Sequence, residues 1–162
     1  MALLILSLGS NVNAISNIGY AIESLRQEFG DIALSTVYES EAIGFSGENF
    51  LNLAASVDSD VPLKEIVIYL KELENSLGRD RSQPRFSDRT IDIDILIYGR
   101  ETGDDCGLSL PRAEILENAF VLKPLSELHP DMHLPDSDQT YLKFWEQFDR
   151  DSQKIWPTEI NF

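Results

Sequence analysis

Hydrophobic residues along the chain follow two spacings, that of strands and that of helices. Residues 2–8, "ALLILSL", form a continuous apolar run that predicts a buried strand ending at "GSN". The next apolar positions recur every three or four residues, as on one face of a helix: Ile15, Ile18, Ile22, Leu25 and Phe29. This spacing predicts an amphipathic helix that stops at Gly30.

Alternation then predicts two more strands with a loop between them. The first covers residues 31–40 and places four residues on one face: Ile32, Leu34, Thr36 and Tyr38. Residues 39–49 hold two glycines and few β-forming residues, which indicates a long functional loop. The second strand, "FLNLAASV", puts Leu51, Leu53, Ala55 and Val57 on its core face, whereas Phe50 and Asn52 share the other face.

A second helix and a fourth strand complete a recognisable order. The helix runs from about Pro62 to Gly78, and "TIDIDILIYG" follows as a strand. The strand should point four isoleucines one way, namely Ile91, Ile93, Ile95 and Ile97. The order β-α-β-β-α-β, with both helices on one face of a mostly antiparallel sheet, predicts a ferredoxin-like core of the α+β class.

The remainder of the chain gives weaker patterns. A short apolar piece lies at 108–110, helical turns are expected around 112–117 and 124–128, and a last helix near 139–148. These elements could cover part of the sheet's other face.

Composition narrows the class of protein. The 162 residues fit one domain, 1–162, with 43% hydrophobic and 25% charged residues. No apolar run could span a bilayer, and a single cysteine, Cys106, suits a reducing compartment, so we expect a cytoplasmic protein without a membrane partner. The net charge of −15 argues against nucleic acid as a partner.

Two acids on the fourth strand are the first chemical signal. Asp92 and Asp94 face away from the isoleucines and stand roughly 7 Å apart, from a rise of about 3.3 Å per residue. Hard carboxylate oxygens on a rigid strand suit one or two Mg²⁺ ions. The alternative is a half-exposed strand with acids on its solvent face, and for the strand alone the two are equally good.

The loop directly upstream is rich in arginine despite the acidic balance of the chain. It reads "GRDRSQPRFSDR" and holds Arg79, Arg81, Arg85 and Arg89. Arginines that hold phosphate, beside carboxylates that hold metal, describe a site for a metal–nucleotide complex. Local pairing with Asp80 and Asp88 on a solvated loop is the alternative. No Walker-type phosphate loop occurs in the sequence.

Aromatic residues supply a third signal. Phe50 shares its face with the amide of Asn52, and Phe120 lies in "ENAFVLKPLSEL". Core packing is the common fate of phenylalanine, but an aromatic ring beside an amide suits stacking on a flat heterocycle. His129 and His133 have no obvious catalytic partner, and nothing resembles a nucleophilic triad or a zinc site.

These residues together resemble one family, the 6-hydroxymethyl-7,8-dihydropterin pyrophosphokinases. The matching pieces occur in the family's order over almost the whole chain: "LSLGSN", "NFLNLAASV", "ELENSLGRDR", "RTIDIDILIYG" and "FVLKPLSEL". The resemblance implies transfer of pyrophosphate from ATP to a pterin alcohol in folate biosynthesis, with AMP as the other product. It also implies a three-layer αβα sandwich on the ferredoxin-like core, and we expect a monomer.

The resemblance further implies roles for individual residues. Asp92 and Asp94 would hold two Mg²⁺ ions, Asp92 would also face the pterin, and Arg79 and Arg89 would act on the phosphates in catalysis. The implied nucleotide contacts are Glu74, Arg79, Arg81, Arg85, Arg89 and Arg112. The implied pterin contacts are Ser40, Ala42, Ile43, Phe50, Asn52, Asp92 and Phe120.

Two departures from the family pattern bear on turnover. Arg112 stands where the family has a nucleotide-contacting histidine, and Asn118 stands where it has an active-site arginine. They motivate the alternative of a diverged paralogue that binds pterin or nucleotide with little turnover. A metal-dependent nuclease using Asp92 and Asp94 is a third hypothesis, which the net charge disfavours.

Overall fold

A computed structural model describes residues 1–79, 81–84 and 88–162. Its strands are β1 (Ala2–Ser10), β2 (Ala33–Leu34), β3 (Val37–Ser40), β4 (Phe50–Ser59), β5 (Asp92–Tyr98), β6 (Gly103–Asp105), β7 (Leu108–Leu110) and β8 (Ile155–Thr158). Its helices are α1 (Ala14–Phe29), α2 (Leu63–Ser76), α3 (Glu114–Glu117), α4 (Ala119–Leu128) and α5 (Tyr141–Gln147).

The main sheet has the order β5-β1-β4-β3-β8, and the short β2 also pairs with β4. Every pairing in it is antiparallel. The two strands at the centre, β1 and β4, are paired over the whole of β1. This topology confirms the predicted ferredoxin-like α+β fold.

Helices cover both faces of the sheet. On one face, α1 and α2 pack on apolar side chains of β1, β4 and β5, such as Leu6, Leu53 and Ile93. On the other face, α3, α4 and α5 pack on a second and smaller cluster that includes Ile5 and Leu96. Because each helix buries one apolar stripe against the sheet, the result is the expected three-layer αβα arrangement.

The prediction that four isoleucines of β5 point to one face is wrong for the last of them, Ile97. Ile93 and Ile95 pack under α1 and α2, but Ile97 packs with Ile5 in the cluster on the opposite face. The cause is a register shift, since β1 pairs Leu6 with Ile95 and the adjacent Ile5 with Ile97. Leu96 is thus an extra residue on β5, and the side chains that follow it point to the opposite face from the one that alternation predicts.

The predicted strand over 31–40 is likewise two strands. Ser35 interrupts it, donating its N–H to the Ala54 carbonyl while its hydroxyl accepts the Ala54 N–H. Tyr38 therefore does not share a face with Leu34: it turns toward α4, where its hydroxyl donates to Glu127 Oε1 at 2.7 Å. The predicted stripe of α1 also loses Ile15, which is 60% exposed.

The C-terminal part of the chain holds two strands that the apolar pattern did not predict, β6 and β8. The expected pieces at 108–110 and near 139–148 are β7 and α5, and the expected turns are α3 and the end of α4. Strand β8 was not predicted, and it extends the sheet by pairing with β3. Within the described ranges, no helix is both long and apolar enough to cross a membrane.

Candidate active site

The candidate site lies on the face of the sheet that α3, α4 and α5 cover, directly beside their apolar cluster, and Leu96 and Val121 of that cluster line it. Gly9 of β1 pairs with both Asp92 of β5 and Asn52 of β4, so these three residues form one row across the sheet. Asp94 lies in the next row, opposite Ser7. All of them line one cavity of about 900 Å³.

The two carboxylates of β5 are close enough to disturb each other. Burial, reinforced by repulsion from Asp92, raises the pKa of the Asp94 carboxyl from 3.8 to about 7, although Arg112 opposes the shift. A cation placed between the two carboxylates would offset both the cost of burying their charge and their mutual repulsion, because it supplies opposite charge where solvent is scarce.

The donor set fits magnesium that arrives with a substrate. No group of three or more metal-ligating side chains occurs in the part of the chain that the structure describes. Two carboxylates alone leave most of an octahedral Mg²⁺ shell to water and phosphate oxygens, which is the usual arrangement for this ion at phosphate sites. The residues present therefore fit Mg²⁺ held jointly by protein and substrate.

Two arginines of the predicted phosphate site line the cavity and are largely buried. Arg79 is 14% exposed, and its Nη2 lies 3.7 Å from Asp92 Oδ1. Its Nε and Nη1 are buried without a hydrogen-bond partner among the described residues. Burial, followed by repulsion from Arg79, lowers the pKa of Arg89. Two buried guanidiniums facing one cavity form a strong anion site.

Arg81 and Glu74 form an ion pair at the edge of the cavity. Arg81 Nη2 donates to Glu74 Oε1 at 2.9 Å, while Glu74 Oε2 accepts the backbone N–H of Ile93 at 3.0 Å. Burial raises the pKa of Glu74, and these two hydrogen bonds oppose that shift. Glu74 thus joins α2 to β5 in addition to lining the predicted nucleotide site. Arg85 lies outside the described residues.

Arg112, one of the two departures from the family pattern, lies directly beside the carboxylate pair. Its backbone N–H donates to the Leu96 carbonyl, which holds it against β5. Its Nη2 lies 3.5 Å from Asp94 Oδ1, and its Nε lies 3.3 Å from Glu114 Oε2. The cavity therefore has a cation at this position. Asn118, the second departure, lines the same cavity.

The predicted aromatic residues lie at the other end of the same cavity. Phe50 and Phe120 both line it, from β4 and α4. Phe45 joins them, with its ring edge-on to Phe50 at a centroid distance of 6.4 Å. Phe45 was not predicted, because a lone phenylalanine in a glycine-containing loop carries no periodicity.

The polar residues at this end are held in a fixed arrangement. Asn52 Nδ2 donates to Ser40 Oγ at 2.9 Å and to the Tyr38 carbonyl at 3.2 Å. Ser40 and Ile43 line the cavity, and Ile43 does so with 54% of its surface exposed. Ala42, the remaining predicted pterin contact, is not among the lining residues.

Asn11 connects the two loops on either side of the site and was not predicted. Its Nδ2 donates to the Glu48 carbonyl and to Asp88 Oδ1, at 3.1 and 2.8 Å. Its Oδ1 accepts the Arg89 N–H at 2.7 Å. The loops also touch at Gly47, where a Cβ would lie 2.6 Å from Asp88 Oδ1.

The two histidines of the chain lie elsewhere. Neither His129 nor His133 lines the cavity. By contrast, Ser152 and Gln153 of the C-terminal segment do line it, and no sequence motif marks them.

Comparison with known proteins finds one consistent set of relatives. A family model described as 7,8-dihydro-6-hydroxymethylpterin-pyrophosphokinase (HPPK) matches residues 5–130. A 2-amino-4-hydroxy-6-hydroxymethyldihydropteridine pyrophosphokinase from Aquifex aeolicus is 38% identical over 138 residues, covering 83% of this chain and 85% of that protein. The Bacillus subtilis protein of the same name is 31% identical and covers 70% of this chain and 71% of its own length.

Solved structures show the same fold. Plasmodium falciparum HPPK-DHPS, crystallised with pterin and p-hydroxybenzoate, matches 90% of this chain with a TM-score of 0.69 and 15% identity. The match covers 43% of that longer chain.

Proposed function

The chain belongs to the 7,8-dihydro-6-hydroxymethylpterin-pyrophosphokinase family, and we propose that it transfers pyrophosphate from ATP to the hydroxymethyl group of 6-hydroxymethyl-7,8-dihydropterin. One observation carries the proposal. A single cavity joins a carboxylate pair and buried arginines at one end to aromatic rings and a fixed amide at the other. The first end suits a metal-bound triphosphate and the second a flat heterocycle.

At the phosphate end, the protein binds and orients charge. Asp92 and Asp94 would hold Mg²⁺, and we propose two ions. The chemistry that Mg²⁺ supplies when bound is neutralisation of the phosphate oxygens around the reacting phosphorus. Arg79 presents buried N–H groups to the same oxygens. Arg89 adds a second buried guanidinium charge, which is held in place by hydrogen bonds to the Asp88 and Pro84 carbonyls, and Arg112 adds a cation beside Asp94.

At the pterin end, the protein fixes the orientation of the alcohol. Phe50 and Phe120 offer ring faces for stacking, and Asn52 has its Nδ2 committed to Ser40 and Tyr38. That commitment leaves Oδ1 to accept a hydrogen bond from the heterocycle edge. The orientation of the amide therefore selects ligands that present a donor there.

The reaction follows from bringing these two ends together. The hydroxymethyl oxygen attacks the β-phosphorus of ATP, a new O–P bond forms, and the bond to the oxygen of the α-phosphate breaks. AMP leaves with that electron pair, and the hydroxyl proton is released. Phosphoryl transfer of this kind needs mainly positioning and charge stabilisation from the protein.

The decisive experiment measures AMP formation by the purified protein. We expect AMP only when ATP, the pterin alcohol and Mg²⁺ are all present. Binding of both substrates without AMP would instead favour the diverged paralogue, and Mg²⁺-dependent cleavage of DNA or RNA would favour the nuclease. Titration with Mn²⁺ in the presence of an ATP analogue counts the metal ions, and sedimentation tests the expected monomer.

A further inference from the structure

The junction between α3 and α4 determines where Phe120 stands. Asn118 separates the two helices in an extended conformation, with φ −117° and ψ 122°. Its side chain makes no capping hydrogen bond at the start of α4. Helix ends leave backbone groups without intrahelical partners, so the Glu117 carbonyl and the Ala119 N–H need partners from elsewhere.

Gln153 supplies both partners with one side chain. Its Nε2 donates to the Glu117 carbonyl at 2.7 Å, and its Oε1 accepts the Ala119 N–H at 2.8 Å. Ala119 is fully buried, so its N–H has no access to water as a substitute. A buried donor without a partner costs about 1–3 kcal/mol. The amide of Gln153 is therefore a clamp across the junction.

The clamp is anchored to the opposite wall of the cavity. Two residues beyond Gln153 begins β8, where Ile155 pairs with Ser40 of β3. Next to it, Trp156 Nε1 donates to Glu39 Oε2 at 3.1 Å. The C-terminal segment thus ties the strand that carries Ser40 to the helix that carries Phe120. All of it lies outside residues 5–130, which the family model matches.

We propose that Gln153 is a positioning residue for the pterin: it fixes the first turn of α4, and thereby Phe120, relative to Ser40 and Asn52. The proposal rests on the proposed function for the identity of the ligand. It assigns to the C-terminal segment a part in recognition of the heterocycle. The nucleotide end depends on it less, because Arg79, Arg81 and Arg89 lie on the loop after α2 and Arg112 is held by its own hydrogen bond to Leu96 of β5.

The test compares Gln153→Met, which keeps the length of the side chain but loses both hydrogen bonds, with Lys154→Met at the exposed neighbouring position. Calorimetry with Mg²⁺ and a non-hydrolysable ATP analogue should show a Kd for the pterin alcohol raised roughly tenfold in Gln153→Met, equivalent to about 1.4 kcal/mol. The Kd of the analogue should stay within about twofold, and Lys154→Met should match the wild type. Gln153→Glu, which keeps the acceptor for Ala119, should recover part of the affinity.

Equal weakening of analogue and pterin, or an unchanged pterin Kd, would overturn the positioning role. Hydrogen exchange at the Ala119 amide gives a readout without substrate, and it should be faster in Gln153→Met than in Lys154→Met. If the wild type itself did not bind the pterin, the proposed function would fail, and the exchange rate would still decide whether Gln153 holds the junction.

Discussion

Replacing Asp94 with asparagine should stabilise the metal-free protein while abolishing turnover. In the folded state, burial and then repulsion from Asp92 raise the pKa of Asp94 to about 7, from 3.8. Between pH 3.8 and about 7, Asp94 is therefore protonated in the folded state but ionised in the unfolded chain. As pH rises from about 4 to about 7, the wild type loses stability, and above that range the loss is constant. Asparagine carries no such penalty.

The size of the effect follows from the shift and from exposure. A shift of this size corresponds to about 4 kcal/mol at about 1.4 kcal/mol per pKa unit. Since 37% of the Asp94 side chain is exposed, solvent screening reduces the expected gain to about 1–2 kcal/mol. For a protein of this length, that gain raises Tm by about 2–8 °C.

The assay is thermal unfolding in EDTA at pH 5 and pH 8.5. Asp94→Asn should unfold at a higher temperature than the wild type, and by a larger margin at pH 8.5. Asp138→Asn, at an exposed position outside the cavity, is the matched control and should show no such margin. Adding Mg²⁺ and ATP should stabilise the wild type more than the variant. A lower Tm for Asp94→Asn at pH 8.5, or a margin independent of pH, would refute the reasoning.

Three further substitutions test other parts of the site. Arg79→Met should raise the Kd for ATP at least about tenfold without lowering Tm, because it removes buried N–H groups whose role is to meet phosphate; calorimetry that showed unchanged ATP affinity would contradict this. Arg112→Gln should increase the affinity of the nucleotide-free protein for Mn²⁺ by a few fold, since it removes the cation beside Asp94. Paramagnetic relaxation of water measures this affinity, and weaker Mn²⁺ binding would contradict the idea that Arg112 and the metal compete for Asp94. Gly47→Ala should weaken binding of both substrates, because the new Cβ would lie 2.6 Å from Asp88 Oδ1; normal KM values for both would show that the loops adapt.

Much of this fold could be predicted from periodicity, and the errors have local causes. The bulge in β5 was invisible because Leu96 and Ile97 are both apolar, so the alternation gives no sign of where the strand turns over. Strand β8 contains Pro157 and lies at an edge, where pairing with β3 rather than its own composition makes it a strand.

The candidate site divides in the same way. Alternation along β5 was enough to place Asp92 and Asp94 on one face, and clustering was enough to indicate the arginines. Gln153 could not be found, because its role depends on a junction between two helices more than thirty residues earlier in the chain. The position of Arg112 beside Asp94 depends on its backbone contact with Leu96, which only the folded chain provides.

Asn11 gives the two substrates a means of affecting each other. One amide holds the Glu48 carbonyl of one loop and both Asp88 and the Arg89 N–H of the other, so neither loop can change position without altering hydrogen bonds to its neighbour. If the bound nucleotide favours one position of Arg89, the hydrogen bonds of Asn11 favour a matching position of the loop that carries Glu48. Thermodynamic linkage makes the influence reciprocal: the factor by which nucleotide changes pterin affinity equals the factor by which pterin changes nucleotide affinity. A single buried asparagine therefore supplies the physical link through which such coupling would act.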